Sequence, residues 1–219
     1  MHISIEAASD EPGLVLGSGG AVGVSLTWQT RQNHSKELLP NIDRILKESG
    51  ATKTDLSAVF VDIGPGGYAA LRVGVSTAKA LAHALAVPIA GIGRLELDAH
   101  LVRNDAGDRR IVAVHRAGRG DVAWAAYRSG IEDAAPRMSP PDALHAALQA
   151  DDIVTGDIDD ELHLRIREAG AAVATPSEHR VTALAMLGHL RLEAGRADDP
   201  TSIVPLYLRA PAIGPQKSA

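Results

Sequence analysis

A strand, a glycine-rich turn and a helix are predicted by the stretch Ile63-Gly64-Pro65-Gly66-Gly67-Tyr68-Ala69-Ala70-Leu71-Arg72-Val73-Gly74-Val75-Ser76-Thr77-Ala78-Lys79-Ala80-Leu81-Ala82. The apolar, β-branched run Ala58–Ile63 enters it, as a buried strand would. Glycine adopts backbone conformations closed to other residues and lets neighbouring groups approach the main chain. A glycine loop before a helix N-terminus is typical of an anion site, and equally of a tight turn that seats the helix on a sheet. The loop by itself leaves both interpretations open.

Composition limits the class of protein. The 219 residues are 45% hydrophobic and only 3% aromatic, so aliphatic side chains must fill a sizeable core. The net charge is −5, and the densest basic cluster, Arg103–Arg119, is interrupted by aspartates, which disfavours direct binding to nucleic acid. With no cysteine, disulfides and thiolate metal sites are excluded. Neither a secretion signal nor a membrane-length apolar run is found, so we expect a cytoplasmic protein with no membrane partner.

The first part of the chain predicts a mixed sheet with helices against it. The order is β-β-β-α-β-α-β-α, beginning with a half-buried strand at His2–Ile5 and a hairpin around Gly17–Gly20. Pro40 lies inside the first helix and predicts a kink or a late helix start. The remaining elements are the helix Ser35–Ser49, the strand Ala58–Ile63, the helix Ala69–Ala86, the strand Pro88–Ile92 and the short helix Leu95–Leu101.

A hydrophilic stretch, Arg103–Arg110, predicts a domain boundary, with one domain over residues 1–102 and a second over 103–219. The second domain's last helix, Val181–Glu193, is clearly periodic and could pack back on the first domain. The other predicted elements are the strands Ile111–Val114, Val122–Tyr127, Ile153–Thr155 and Ala172–Ala174, a helix start at Ser139–Asp142 and the helix Asp160–Glu168.

The order and spacing of several motifs resemble the TsaB family over nearly the whole chain. The motifs are Asn33-His34-Ser35-Lys36-Glu37-Leu38-Leu39-Pro40, the stretch Gly64–Gly74, Gly91-Ile92-Gly93-Arg94-Leu95-Glu96, Arg119-Gly120-Asp121-Val122-Ala123-Trp124 and Val204-Pro205-Leu206-Tyr207-Leu208-Arg209. The resemblance implies an α/β fold of the actin-like ATPase (ribonuclease H-like) type. That fold is a duplication of two mixed-sheet halves, with the second half abbreviated.

The same resemblance implies a function through partners. Members of this family are non-catalytic scaffold subunits that bind and activate the catalytic TsaD-like subunit, which makes threonylcarbamoyladenosine (t6A) in tRNA. A TsaE-like ATPase is a further expected partner, and a homodimer is expected for the isolated chain. We expect tRNA to be reached only through the complex. No cofactor is expected on this chain alone, while ATP at an interface with partners stays open.

Two enzymatic alternatives have adverse features. An ATP-dependent transferase or kinase of this fold needs a phosphate-cradling first hairpin. This chain has Glu6-Ala7-Ala8-Ser9 there, without a hydroxyl in the middle. Lys79 lies twelve residues past Gly67, so the glycine loop is not a P-loop. A metallopeptidase would need a His-x-x-x-His pair, and no two of the nine histidines are four apart.

The predicted sites are therefore a partner surface and a structural loop, with no catalytic, cofactor or metal residues. Asp62 is expected to tether the glycine loop, and His115 stands where relatives often carry aspartate. Periodicity leaves open which apolar stripe of the first two long helices faces the core and which faces a partner. The predicted partner-binding residues are Leu39, Ile42, Leu46, Arg72, Val75 and Lys79, and the structural glycine loop is Gly64, Pro65, Gly66 and Gly67.

Overall fold

The computed structural model describes residues 1–30, 33–118 and 120–209, and its first half is built on a five-stranded mixed sheet. Three strands form an antiparallel meander, and two more continue the sheet in parallel with the first strand. The order is β3-β2-β1-β4-β5, with β1 at His2–Glu6, β2 at Gly13–Ser18, β3 at Ala21–Thr27, β4 at Ala58–Gly64 and β5 at Ile89–Gly93.

Two long helices cover one face of this sheet: α1, His34–Glu48, and α2, Tyr68–Leu85. Their inward stripes join the strands' aliphatic side chains in one core cluster, which includes Ile45 and Ala78. Helix α1 starts at His34 and continues through Pro40, so of the two predicted alternatives, a kink or a late start, the late start is wrong. The helix tolerates proline there because its amphipathic face is held by tertiary packing, which outweighs one lost hydrogen bond.

The second half repeats the topology with shorter elements. Its sheet order is β8-β7-β6-β9-β10, which matches β3-β2-β1-β4-β5 position by position. Helices α5 and α6 have 7 and 9 residues where α1 and α2 have 15 and 18, so the predicted abbreviated duplication is confirmed. The elements are β6, Ile111–Arg116; β7, Val122–Arg128; β8, Ile131–Ser139; α5, Pro141–Ala147; β9, Ile153–Gly156; α6, Asp160–Glu168; and β10, Ala172–Val173.

Two helices lie between the sheets, and each packs on the sheet of the opposite half. Helix α3, Arg94–Leu101, continues into the single turn α4, Arg103–Ala106, and packs on β6 and β7 of the second sheet. Helix α7, Arg180–Glu193, packs on β1, β2, β4 and β5 of the first. Strand β1 is consequently covered on both faces and entirely buried, so the prediction of a half-buried strand is wrong. The division at residues 102 and 103 stays a prediction.

The sequence did not predict strand β8. Its residues, Ile131–Ser139, are mostly exposed and include two acidic side chains and Pro136, all unfavourable for a strand. They form one because β8 is an edge strand paired only with β7, and its register shifts on either side of Ala126. An edge strand with an irregularity accommodates a proline, since no ladder hydrogen bond need be lost.

Candidate functional site

The glycine loop is fastened to the end of β4 by a side chain. Asp62 Oδ1 accepts a hydrogen bond of 2.7 Å from the backbone N–H of Gly64, as predicted for Asp62. Gly64 has φ of +98°, a conformation that side-chain-bearing residues rarely adopt. The turn that starts α2 is therefore set by one carboxylate and one glycine.

Close packing between the glycine loop and the first hairpin explains a second glycine. A Cβ atom on Gly66 would lie 2.6 Å from the carbonyl oxygen of Ala8. Further along α2, a Cβ on Gly74 would meet the Cβ of Ala7 at 3.0 Å. The loop and α2 thus rest directly on the Ala7–Ala8 segment. In an ATP-dependent enzyme of this fold, this segment would have to offer a hydroxyl that donates a hydrogen bond to phosphate. Packing alone accounts for these glycines.

A cluster of charged side chains lies in the cleft between the halves. The Arg94 guanidinium, 4% exposed, donates from Nη2 to Asp157 Oδ1 at 3.2 Å, and its Nε lies 3.8 Å from Asp98 Oδ2. Arg180, at the start of α7, donates from Nε to Asp98 Oδ1 at 2.5 Å. Two guanidinium groups therefore face two carboxylates, and the cluster joins α3 and α7 to the loop after β9.

His115 takes part in this cluster through Asp157. Its Nδ1 lies 2.5 Å from Asp157 Oδ2. Burial alone would raise the pKa of Asp157, but the His115 hydrogen bond and the positive charge of Arg94 outweigh burial and hold this pKa below its ordinary value. Asp157 is thus kept ionised, with His115 as its hydrogen-bond partner.

Two acidic side chains lie deeper in the cleft, at the ends of β1 and β4. Glu6 is fully buried, and its Oε1 accepts from the backbone N–H of Ala8 at 2.9 Å. Burial is the largest cause that raises the pKa of Asp62, and the negative charge of Glu6 raises it further, to about 8. Asp62 is therefore biased towards its protonated form, the reverse of Asp157.

The open part of the cleft has a volume of about 750 Å³ and is lined by both halves. Ser9 Oγ lies within hydrogen-bond distance of Glu6 Oε2 and Glu11 O, at 3.0 and 2.9 Å, so this hydroxyl is held inside its own loop. The basic groups Arg94 and Arg180 are paired with aspartates. The arrangement can hold the halves together electrostatically, and Ser9, Arg94 and Arg180 are already engaged within the chain.

The structure separates the six predicted partner residues. Ile42, Leu46 and Val75 are buried in the core between α1, α2 and the sheet, where their side chains hold the helices in place. Leu39 is 58% exposed on α1, and Arg72 is exposed on α2. Lys79 is partly buried and donates to the carbonyl oxygens of Thr201 and Ile203 at 3.2 and 3.0 Å. Whether any of them contacts a partner stays a prediction.

Arg72 belongs to an exposed aromatic group at the start of α2. The Tyr68 ring stacks on Tyr207 with 4.8 Å between ring centroids, and the Arg72 guanidinium lies 4.6 Å from the Tyr68 ring centroid on α2. Tyr207 comes from the C-terminal segment Asp198–Arg209, which crosses this side of the molecule. The segment was not predicted to contribute to the surface.

Sequence reasoning missed the cleft cluster, although a positional signal was present. Arg94 directly follows β5, and Asp157 directly follows β9, so each stands at the carboxyl end of a parallel strand. Ligands and functional groups of open α/β sheets gather at these ends. Asp98 and Arg180 carried no such signal, because they reach the cluster only through the placement of α3 and α7.

Two features are absent from the described ranges, residues 1–30, 33–118 and 120–209. Within them, no three His, Asp or Glu side chains converge in a metal-binding group. None of the helices there is long and apolar enough to cross a membrane.

Known proteins similar to this chain agree with one another. The family model described as TsaD, tRNA N6-adenosine threonylcarbamoyltransferase, matches residues 28–144. An uncharacterized protein of Mycobacterium tuberculosis is 33% identical over 83% of this chain and 78% of its own length. The Escherichia coli protein named tRNA threonylcarbamoyladenosine biosynthesis protein TsaB is 29% identical over 58% of this chain and 54% of its own.

A solved structure agrees in fold. YeaZ from Pseudomonas aeruginosa superposes with a TM-score of 0.77 at 20% identity, covering 94% of this chain and 99% of that one. Together with the repeated sheet order, this confirms the predicted actin-like duplication. The chain belongs to the family of the matching TsaD model and, within it, to the TsaB group, also called YeaZ.

Proposed function

We propose that this chain is a non-catalytic subunit of the machinery that makes t6A in tRNA, and that it acts by binding a TsaD-like catalytic subunit. Family membership supports the pathway, since the relatives in Escherichia coli and Bacillus subtilis both carry the name tRNA threonylcarbamoyladenosine biosynthesis protein TsaB. The chemistry of the cleft and of the exposed α1–α2 face supports a binding role for this chain and a catalytic role for its partner.

The observation that carries the proposal is the exposed group on α1 and α2. Leu39 presents more than half of its surface to solvent, and Tyr68, with Arg72 beside it, is 38% exposed. Tyrosine and arginine are enriched among residues that dominate binding energy at interfaces. Tyrosine buries a large area with few rotamers to immobilise, and the planar arginine guanidinium stacks on aromatic rings. Beneath them, Ile42 and Val75 are packed in the core, so the face is rigid before binding.

The cleft supports a non-catalytic role. Ala7 and Ala8 are almost fully buried against the glycine loop and α2 and offer no hydroxyl. The Ser9 hydroxyl is held by Glu6 and Glu11, and Arg94 and Arg180 are each paired with an aspartate. A phosphate entering here would have to displace these contacts, each of which is stronger in a partly buried site than in water.

The remaining partners follow from the same proposal. A net charge of −5 makes unaided tRNA binding unfavourable, so tRNA would be reached through the complex. A TsaE-like ATPase would join the same assembly, with any ATP held at an interface between subunits. The exposed α1–α2 face would pair two copies of the isolated chain when the catalytic subunit is absent.

The test is association with the TsaD-like protein of the same genome, measured by isothermal titration calorimetry. Leu39→Asp places a charge in the proposed interface and is expected to weaken binding by about tenfold or more. The matched control is Leu164→Asp, because Leu164 is a 56% exposed leucine on α6, close to the 58% of Leu39. This control should bind like the unaltered chain. The free energy of unfolding of each variant should lie within about 0.5 kcal/mol of that of the unaltered chain, since both side chains are at the surface.

Two outcomes would contradict the proposal. If the two proteins do not associate, with or without ATP, the partner assignment is wrong. If the isolated chain releases phosphate from ATP with robust turnover, the enzymatic alternative holds instead. Equal binding by Leu39→Asp and Leu164→Asp would leave the partnership but remove the α1–α2 face as its site.

A further inference from the structure

The C-terminal segment Asp198–Arg209 runs from one half of the molecule to the other. It begins at the edge of the first sheet, where its backbone N–H at Asp198 donates to Ile89 O at 2.8 Å. The Asp198 side chain in turn accepts from the N–H of Gly91 at 2.7 Å. The segment thus adds an antiparallel bridge to β5 and covers the open edge of that sheet.

Its middle is anchored in the first core. Ile203 is 8% exposed and fills the space that Gly91 leaves, because a Cβ on Gly91 would lie 2.7 Å from Ile203 Cδ1. Lys79 holds the Ile203 carbonyl oxygen from the side of α2. Beyond the anchor, the N–H of Leu206 donates to Ile63 O at 2.7 Å, beside the glycine loop. Each of these contacts is with the first half.

Its end reaches the second half. After Tyr207 stacks on Tyr68, the Arg209 guanidinium pairs with the carboxylate of Asp121, in the loop between β6 and β7. Both side chains keep about a third of their surface in solvent, 34% and 28%. Water and salt weaken an ion pair of this exposure far more than they weaken the buried Ile203 anchor.

We propose that Asp198–Arg209 is a releasable clamp across the cleft, anchored by Ile203 in the first half and latched by Arg209 on Asp121 in the second. With the latch closed, the halves are held in one relative orientation and Tyr207 covers Tyr68. With the latch open, the segment beyond Ile203 detaches, the halves gain freedom to move about α3 and α7, and the Tyr68 ring is uncovered. The clamp is a property of the isolated chain and does not depend on the identity of its partner.

The chain is well suited to a direct test, because it contains no cysteine. Cysteines are introduced at two exposed positions, Ser76 on α2 and Arg167 on α6, and each carries a spin label. Double electron–electron resonance then measures the distance between the two labels. Hydrogen exchange at the Leu206 amide reports whether the segment is attached. The latch variants are Arg209→Ala and Asp121→Asn, with the double charge reversal Arg209→Asp plus Asp121→Arg as the rescue.

We expect each latch variant to broaden the distance distribution and to speed Leu206 exchange by about tenfold or more, while the charge reversal restores both. Raising the salt concentration should broaden the distribution of the unaltered chain and leave the latch variants unchanged. The matched control is Arg44→Ala, which removes an exposed arginine whose partner, Glu48, lies on the same helix.

The proposal is overturned if Arg209→Ala gives the same distances and exchange as Arg44→Ala. It is also overturned if Leu206 exchange rises while the distance between the halves is unchanged, since the segment would then be a local cover. Circular dichroism identifies any unfolded variant, and Asp121→Asn, which leaves the segment's own sequence intact, then decides the outcome.

Discussion

Each half contains a turn from a parallel strand into a helix, called a corner below, and the two corners differ in their packing. In the first half, β4 ends at Gly64 and the glycine loop leads into α2; in the second, β9 ends at Gly156 and a short loop leads into α6. Both glycines have left-handed backbone, with φ of +98° and +110°. The first corner is closely packed on the Ala7–Ala8 segment. The second carries Asp157, whose carboxylate contacts His115 within the second half and Arg94 across the cleft.

This difference shows that topology does not determine the chemistry of a corner. In the first corner the carboxylate, Asp62, stands before the glycine and faces into the chain. In the second it stands after the glycine, where it faces the cleft. A shift of a few residues therefore separates a carboxylate that shapes a loop from one that joins two halves.

The largest expected effect comes from giving each corner glycine a side chain. A Cβ on Gly156 would lie 2.0 Å from the carbonyl oxygen of Val114, whereas one on Gly64 would lie 2.8 Å from a methyl group of Leu71. A backbone carbonyl in a sheet cannot move aside as a side-chain methyl can. We expect Gly156→Ala to lower the free energy of unfolding by about 4 kcal/mol and Gly64→Ala by about 2 kcal/mol, measured by urea titration. The reverse order would mean that the second corner is the more adaptable one.

Removing the cleft carboxylate is expected to have the next largest effect. Asp157→Ala leaves the buried Arg94 guanidinium with only Asp98, so we expect a loss of about 3 kcal/mol. Asp159→Ala, two residues later, removes the side-chain cap that accepts from the N–H of Leu162 at 2.9 Å and should cost about 1 kcal/mol. Thermal unfolding of the two variants separates a cross-cleft contact from a local one. Equal losses would show that Asp157 does not link the halves.

Within the first corner, neighbouring glycines should respond unequally. Gly66→Ala forces a Cβ against Ala8 O and should destabilise the chain by about 2 kcal/mol. Gly67→Ala is the control, because its Cβ would meet only Ala70 Cβ at 3.6 Å, and we expect at most about 1 kcal/mol there. The urea concentration at the midpoint of unfolding, measured for both variants, shows which glycine contributes more to stability. A loss at Gly67 as large as at Gly66 would indicate that backbone conformation, not close packing, requires these glycines.

The smallest expected effect is on pH dependence, where the two corner aspartates act in opposite directions. The pKa of Asp62 is raised, so its contribution to stability is complete below the ordinary carboxyl pKa and is lost as pH rises through the raised value. The pKa of Asp157 is lowered, so its contribution is complete above the ordinary value and is lost as pH falls through the lowered one. Asp62→Asn should therefore flatten the fall in stability between the ordinary carboxyl pKa and about 8, and Asp157→Asn the fall in stability below the ordinary carboxyl pKa.

Urea midpoints measured across the pH range check both slopes. Asparagine is the right replacement at Asp62, because its side-chain oxygen still accepts from the Gly64 N–H. If stability still falls between the ordinary carboxyl pKa and about 8 in Asp62→Asn, that fall belongs to another group.

The first corner was predictable because its signals are contiguous. An apolar run, a cluster of glycines and a helical stripe of small residues stand next to one another from Ala58 to Ala82. The tether from Asp62 to Gly64 spans two residues, so it too followed from local sequence. The second corner offered only Gly156 and Asp157, and the contacts that give Asp157 its role come from residues 42 and 63 positions away.

The partner surface shows a second limit. Leu39, Ile42 and Leu46 occupy neighbouring turns of one amphipathic helix, and periodicity assigns all three to an apolar stripe. Only the position of α1 on the sheet decides that Ile42 and Leu46 are buried and that Leu39 is exposed. A stripe wider than the core it covers leaves its margin in solvent, and the width of the core depends on the neighbouring elements.

The sequence by itself determined the order of elements in the first half, the glycine turn before α2 and, through its motifs, the family. These features depend on backbone preferences and side-chain periods that act over a few residues. Only the tertiary structure decided that α3 and α7 exchange sheets, that Arg94, Asp98, Asp157 and Arg180 meet in the cleft, and that Asp198–Arg209 joins the halves. Such contacts are stabilised by burial and charge between distant segments, so they exist only once the whole chain has fixed where each segment lies.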